Sequence, residues 1–373
     1  MNKKKALFIS RPIAKPWDEA SKNFVFSLTK KLKSYTPTVL VNQQLSELHS
    51  SVTQHKLYST DTLSARQKVR LLKLRKIRNE YDIIHFFFTP TRTNTTLLKS
   101  IFRRSHAKTV HTIATLNPSY GQSTLRKLLW TDMIITYSQF AKRKLDSIGY
   151  RNVTCIYPGI DLVRYKPGLP SAHSLSLINL PAGRFIITFP GEYTRLGAAD
   201  LLTELIPRLK KQIPNLLFIF ACRIKNEADR VKKQEIKEKL EHEGLSDHVL
   251  FTDTFDDMPS LYNASDVIIF PVLNMHGKFD VPLAVIEAMA CEKPVIISDL
   301  PVLVEFSSDQ NAILVKTGNL IELETALITL YKNPKQRNEL GKKARKYTEA
   351  NYDILKIAAQ YEKLYDELTR SNS

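Results

Sequence analysis

Apolar residues along the chain fall into two patterns. Short unbroken runs occur at Lys5–Ser10, Asp82–Phe88, Ala107–Ile113 and Asp132–Thr136, and again at Arg184–Phe189, Leu216–Phe220, Asp266–Phe270, Pro294–Ser298 and Ala312–Val315. Runs of strand length without polar alternation are what strands covered on both faces require. Between them apolar residues recur every three or four positions, as with Phe24, Leu28 and Leu32 across residues 20–35. The same spacing predicts helices from Ser138 to Leu145, from Ala198, over 226–244, 319–332 and 334–349, and a last one near 352–369. Strand and helix in alternation predict parallel sheets of the doubly wound α/β class. Pro158-Gly159, Pro167-Gly168, Pro170 and Pro181 break this rhythm and make 158–183 a connection. The chain, 373 residues long, therefore divides into a domain at 1–165 and a domain at 166–349, each large enough for its own core.

Composition narrows the class. Hydrophobic residues make up 43% and charged ones 25%, and no apolar run approaches the ~18 to 20 residues that span a bilayer, so a soluble globular protein is expected. Ala6–Ile9 is cut short by Arg11-Pro12, too early for the apolar core of a signal peptide, and reads as the first strand. Cys155, Cys222 and Cys291 are odd in number and widely spaced, which suggests neither a disulfide framework nor a metal cluster and suits a reducing, cytoplasmic setting.

Charge changes the picture more. Residues 1–165 hold 29 Lys and Arg against 9 Asp and Glu, or +20, whereas 166–373 hold 26 against 28, or −2. Such an asymmetry points the first half toward an anionic surface, lipid or nucleic acid. The densest basic stretch, Arg66–Arg78, carries Leu71, Leu74 and Ile77 at helical spacing, as either an interfacial helix or a surface helix packed on the sheet would. Arg103-Arg104 and Arg126-Lys127 with Trp130 add basic and aromatic residues. No recognised RNA- or DNA-binding motif is present, so a membrane surface is the preferred partner and nucleic acid is not expected.

Candidate chemistry concentrates between Phe270 and Ala290. A strand ends at Phe270, a polar loop follows, and Pro282 suits the first turn of a helix. The N–H groups of Leu283 and Ala284 and the positive end of that helix would face an anion beyond the strand's carboxyl end, with Glu287 one turn deeper. A second such loop, Pro190–Gly197, offers Gly191 and Arg195, and the strand at Leu216–Phe220 leads to Arg223 and Lys225. An Arg fork pairs well with phosphate oxygens. The first loop, Pro16–Asn23, places Ser21 at a helix start, where it serves a ligand or simply the helix cap. His85 and His111 lie inside strands, where core histidines are commoner than catalysts.

The run DVPLAVIEAMACEKPVIIS, from Asp280 to Ser298, resembles the donor-site signature of retaining glycosyltransferases of family four. The resemblance implies the GT-B fold, two Rossmann-like domains facing across a cleft, with a UDP- or GDP-sugar held by the second, the acceptor by the first, and the last helix crossing back to the first domain. It implies transfer with retention through an oxocarbenium-like transition state and no cofactor beyond the donor itself; no Asp-x-Asp motif stands at a strand end to hold a divalent ion, so transfer without a metal is expected. Family members carry two glutamates across this helix start. Glu287 matches the one that binds the nucleotide ribose, while the sugar-side position holds Phe279, so Asp280, one residue on, is the sugar-side candidate. Arg195 and Lys278 are the groups expected to meet the leaving diphosphate. Ala114, where many members have a histidine, and Glu192, where they have an arginine, also depart from the pattern, and Ala20-Ser21 stands as a partial substitute where many have Gly-Gly. A lipid-linked, lipopolysaccharide or other envelope glycan is the expected acceptor, reached by a protein resting on the cytoplasmic face of the membrane. A non-catalytic GT-B scaffold and, further off, a nucleic-acid-binding protein are the alternatives.

Overall fold

The computed structural model describes residues 3–15, 19–117, 119–307 and 311–370. The chain forms two compact units: one comprises Met1–Asp161, Gly277–Val281 and Tyr352–Ser373, the other Leu162–His276 and Pro282–Asn351.

The first unit is built on seven strands, β1 (Lys4–Ile13), β2 (Tyr35–Val41), β3 (Thr53–Lys56), β4 (Ile83–Phe86), β5 (Lys108–Ile113), β6 (Met133–Thr136) and β7 (Val153–Cys155), in the order β3-β2-β1-β4-β5-β6-β7. Every pairing is parallel. Parallel strands need crossover connections, here helical except between β2 and β3: α1 (Ala20–Thr29), α2 (Ala65–Arg70) with the 3-10 turns that follow it, α3 (Arg92–Phe102), α4 (Gln122–Leu128) and α5 (Gln139–Ser147). Successive residues of β1 serve opposite faces. Leu7 and Ile9 join Ile84, Phe86, Leu98 and Phe102 in one cluster, while Phe8 meets His85 and Phe87 on the other side.

Two sequence expectations change here. The helix predicted over 20–35 stops at Thr29, because Tyr35 already begins β2. The basic stretch is not an interfacial helix. It is α2 followed by 3-10 turns at Leu71–Lys76 and Arg78–Glu80, and Leu71 and Leu74 are buried in the core cluster with Ile77 packed against it. The apolar stripe therefore faces protein, and only the charges remain for a surface role. His85 and His111 are core residues. His85 bonds Tyr365 Oη at 2.6 Å and Thr112 Oγ1 at 2.7 Å, His111 bonds the Phe88 carbonyl at 2.8 Å, and burial pushes both imidazoles down, that of His111 to about 4.

The second unit contains β8 (Phe185–Phe189), β9 (Leu216–Phe220), β10 (Val249–Phe251), β11 (Val267–Phe270), β12 (Val295–Ser298) and β13 (Ile313–Val315), ordered β10-β9-β8-β11-β12-β13 and parallel throughout. Its helices are α6 (Ala172–Ser176), α7 (Ala199–Gln212), α8 (Glu227–His242), α9 (Met258–Ala264), α10 (Leu283–Ala290), α11 (Pro301–Val304), α12 (Leu320–Lys332) and α13 (Pro334–Asn351). A Cβ on Gly341 would lie 2.1 Å from the Glu292 carbonyl, so α13 can lie against the end of α10 only with glycine there.

The last helix, α14 (Ile354–Arg370), belongs to the first unit. The chain returns through a parallel bridge between Ile160 and Asp353. Glu362 then takes three main-chain N–H groups, from Lys33, Ser34 and Tyr35 at 2.7, 2.6 and 3.3 Å, which fixes the tight connection between α1 and β2.

Candidate functional site

In the second unit the strand order reverses direction between β8 and β11, each followed by a crossover to the opposite side. The crevice beyond the carboxyl ends of the strands at such a point is where open α/β sheets bind ligands. The loops after β8 and β11 meet there: the Leu273 N–H donates to the Leu196 carbonyl at 2.9 Å. Gly197, with φ +75, lies 3.1 Å from Leu273 when given a Cβ, so both its backbone angle and the space around it require glycine. Gly191 sits on the ring of Phe189, where a Cβ would come within 1.9 Å.

Arg195 extends from this loop and is held by Glu192. Its Nε and Nη2 each donate to a carboxylate oxygen at 2.6 Å, and the Lys225 ammonium shares the same carboxylate. Glu192 is 3% exposed, so a buried anion positions two cations at the carboxyl ends of β8 and β9. Asp229 ties the two loops together by accepting from Thr194 Oγ1 at 2.7 Å and from the Lys225 N–H at 3.2 Å. Burial pulls the Lys225 ammonium below its ordinary value, with Glu192 opposing the shift. Arg223 stands on the same loop and adds positive charge beside Lys225. Sequence reading identified both cations but assigned no role to Glu192, because a carboxylate in place of an arginine gives no sign of which neighbours it clamps.

Pro282 is the N-cap of α10, one residue earlier than the sequence suggested, and supplies no side-chain cap bond. Leu283 and Ala284 form the first turn, whose N–H groups have no acceptor within the helix. Glu287, one turn on, accepts from Tyr262 Oη at 3.4 Å. Burial pushes its carboxyl up to about 7, against the lowering influence of a Tyr165 hydrogen bond, the Arg164 charge and Tyr262. The tyrosines are positioned in turn. Arg345 donates to the carbonyls of Tyr165 and Ala290 at 2.8 and 2.6 Å, joining α13 to the end of α10. These partners of Glu287 lie far away in sequence and carried no motif.

Lys278 and Asp280 lie in Gly277–Val281, which packs with the first unit. Asp280 accepts from Ser138 Oγ at 2.6 Å, while the same hydroxyl caps α5 by accepting from the Ala141 N–H at 3.0 Å. The Asp280 N–H donates to the Ala114 carbonyl at 3.0 Å, Thr115 Oγ1 donates to the Lys278 carbonyl, and Phe279 packs on Tyr137 with ring centroids 5.4 Å apart. Ala114, where a histidine was sought, thus contributes its carbonyl. Ser21 lies in the first turn of α1, whose N-cap is Glu19 and has no side-chain cap bond. Pro16, Trp17 and Asp18 of that first loop lie outside the described residues. Ser21, Lys278 and Asp280 therefore belong to the first unit, and Gly191, Arg195, Arg223, Leu283, Ala284 and Glu287 to the second.

Residues 177–347 match the family model described as glycosyl transferases group 1. A D-inositol 3-phosphate glycosyltransferase of Salinispora arenicola is 28% identical over 168 residues, 42% of this chain and 37% of that relative. The lipopolysaccharide core biosynthesis mannosyltransferase LpsB of Rhizobium meliloti is 25% identical over 248 residues, 63% of this chain and 69% of the relative. The chain spans less than half the length of the first curated relatives it matches. Among solved structures, a glycosyltransferase from Rickettsia africae superposes with a TM-score of 0.80 at 18% identity, covering 100% of both chains. HepE of Anabaena, solved with UDP and glucose, gives 0.76 at 17% identity over 98% of this chain and 100% of its own. The chain has the two-domain α/β fold of the GT-B class.

Proposed function

We propose that this chain, whose residues 177–347 form a glycosyl transferases group 1 segment, transfers a sugar from a nucleotide-sugar donor to an acceptor hydroxyl with retention of anomeric configuration. The observation that carries the reading is the carboxyl-end crevice of the second sheet, where the loop after β11, the strand that precedes α10 and Glu287, meets the loop bearing Arg195 through the Leu273–Leu196 hydrogen bond. The UDP and glucose bound to HepE support a nucleotide sugar as the ligand of this crevice. Arg195, Lys225 and Lys278 would meet the negative charge that grows on the diphosphate as its bond to the sugar breaks, and the first N–H groups of α10 would add to them. Glu287 accepts from the ribose hydroxyls in this reading. Asp280 is the sugar-side carboxylate, held in one orientation by Ser138 while an oxocarbenium-like centre develops.

Charge meeting charge in this way needs no divalent ion, so transfer is metal-independent in this reading. The basic first domain suits an acceptor at an anionic surface, an envelope or lipid-linked glycan, and the likeness to LpsB agrees with that class. Among the described residues no helix is long and apolar enough to cross a membrane, so attachment would be peripheral and driven by charge. A second reading, a scaffold without transfer activity, draws on one observation: Glu192 already occupies both Arg195 and Lys225.

A panel of UDP-, GDP- and ADP-sugars decides between them. The expected result is thermal stabilisation by one donor class, accompanied by release of its nucleotide when acceptor glycans are supplied. Stabilisation without transfer or hydrolysis would favour the scaffold, and no stabilisation by any donor would sink both.

A further inference from the structure

The first unit has a cavity of about 640 Å³ at the end of its sheet opposite to Ala114 and Ser138. It opens where Lys108 begins β5 and Asp132 precedes β6, and Lys99, Arg103, His106 and Trp130 also line it. The volume is that of a small-molecule site.

Its chemistry is one-sided. Asp132 is the single carboxylate of the lining, and one of its oxygens accepts from both the N–H and the hydroxyl of Thr109, each at 2.7 Å. Asp132 thus serves the sheet. The side chains of Arg103 and His106 make no hydrogen bond or ion pair among the described residues, and the Lys99 ammonium reaches only a carbonyl, that of Lys127, at 3.2 Å. Two arginines from the turns after α2 crowd the same helix end: Arg75 donates to the Ser100 carbonyl at 3.1 Å and Arg78 to that of Ile101. Basic residues from two stretches far apart along the chain, Arg75 and Arg78 from one and Arg103 from the other, are thus gathered around the carboxyl end of α3. Trp130 gives the cavity an apolar wall, its ring 5.8 Å from Phe86 in the core.

A guanidinium fork, an ammonium group and an imidazole around a space with an aromatic wall match a phosphomonoester or diphosphate attached to a less polar group. We propose that this cavity is a second ligand site, separate from the carboxyl-end crevice, that binds a phosphate-bearing group, either on a small metabolite or on a lipid head. It stands on its own residues and does not depend on the donor reading.

The test uses the full chain with Trp17→Phe, so that Trp130 is the only tryptophan. Inorganic pyrophosphate is titrated against its fluorescence, and vesicles of phosphatidylcholine with and without phosphatidic acid form the second arm. The proposal expects a saturable change that Arg103→Gln combined with His106→Gln weakens at least tenfold, while Arg195→Gln in the other unit and Lys31→Gln on the far side of the sheet leave it intact. Both substituted cavity residues are exposed, and an unchanged melting temperature confirms that the fold is retained. Saturation with pyrophosphate alone assigns a soluble ligand, and a response confined to phosphatidic acid vesicles assigns a lipid head. No saturable response in either arm, or one indifferent to Arg103 and His106, overturns the site.

Discussion

If Glu287 binds donor hydroxyls, donor affinity must depend on pH. In the free chain burial holds the carboxyl at about 7, so a large share of molecules carry the proton near neutrality. A ribose hydroxyl donating to this group stabilises the carboxylate and draws the pKa back toward its ordinary value. If the bound value returns to that of an unperturbed glutamate, affinity weakens ~30-fold between pH 8 and pH 5.5, or ~2 kcal/mol. The slope is positive with pH because the complex binds fewer protons than the free protein. Linkage to folding runs the other way. The folded pKa lies above the unfolded value, so the stability contributed by Glu287 is complete below pH ~4 and is lost as pH rises toward 7, by at most on the order of 3 kcal/mol. Calorimetric titration of the intact nucleotide sugar, whose diphosphate bears no titrating proton in this range, measures the first effect. Glu287→Gln should abolish the slope while leaving the protein folded. A wild-type affinity flat across this range, or an equal slope in the glutamine variant, would refute the assignment.

Three further outcomes are expected. Glu192→Ala should cost about 1 to 2 kcal/mol in urea unfolding, less than a fully buried pair because Arg195 and Lys225 are 39% and 28% exposed; an unchanged midpoint would mean that the carboxylate does not hold the loop. Leu74→Ala should cost about 2 to 5 kcal/mol, the range for a large-to-small change in a packed core, and a fully stable variant with weakened vesicle binding would restore the interfacial reading of its stretch. Sugar transfer, assayed with the donor chosen by the panel, should proceed equally with and without EDTA; strict dependence on an added divalent ion would contradict leaving-group stabilisation by Arg195, Lys225 and Lys278.

Much of the fold is legible because both sheets are parallel and covered on both faces. Strands such as Ile83–Phe86 and Leu216–Phe220 are uniformly buried, and such runs need no partner to be recognised. The strands that escaped are those at or next to a sheet edge. β2 contains Pro37, which argues against a central strand. It is tolerated because the β3 ladder pairs only from Thr38 onward, so the missing N–H falls before that partner begins. β3 and β10 are short, and their residues are half-buried or exposed, so no apolar run marks them. In the basic stretch, the leucine spacing correctly shows one apolar side. Whether that side faces lipid or protein is settled by α3 and β4, which contribute Leu98, Ile101, Ile84 and Phe86 to the same cluster as Leu71 and Leu74.

The candidate site divides in the same way. Helix start, glycine turn and cations are local features and can be read from the order of residues. The groups that set their chemistry are not local. Glu287 owes its raised pKa to burial, which outweighs the lowering effect of the hydrogen bonds from Tyr165 and Tyr262, and Asp280 is oriented by Ser138, 142 positions away. Glu192 shows how such context changes the meaning of a substitution. Read alone, a carboxylate where related proteins place an arginine removes a positive charge from a phosphate-facing loop. In the folded unit that carboxylate is buried, and through hydrogen bonds and ion pairs it aims Arg195 from its own loop and Lys225 from the next. The carboxylate does not restore the lost positive charge, but it orients two cations, and the proposed stabilisation of a leaving diphosphate depends on such orientation.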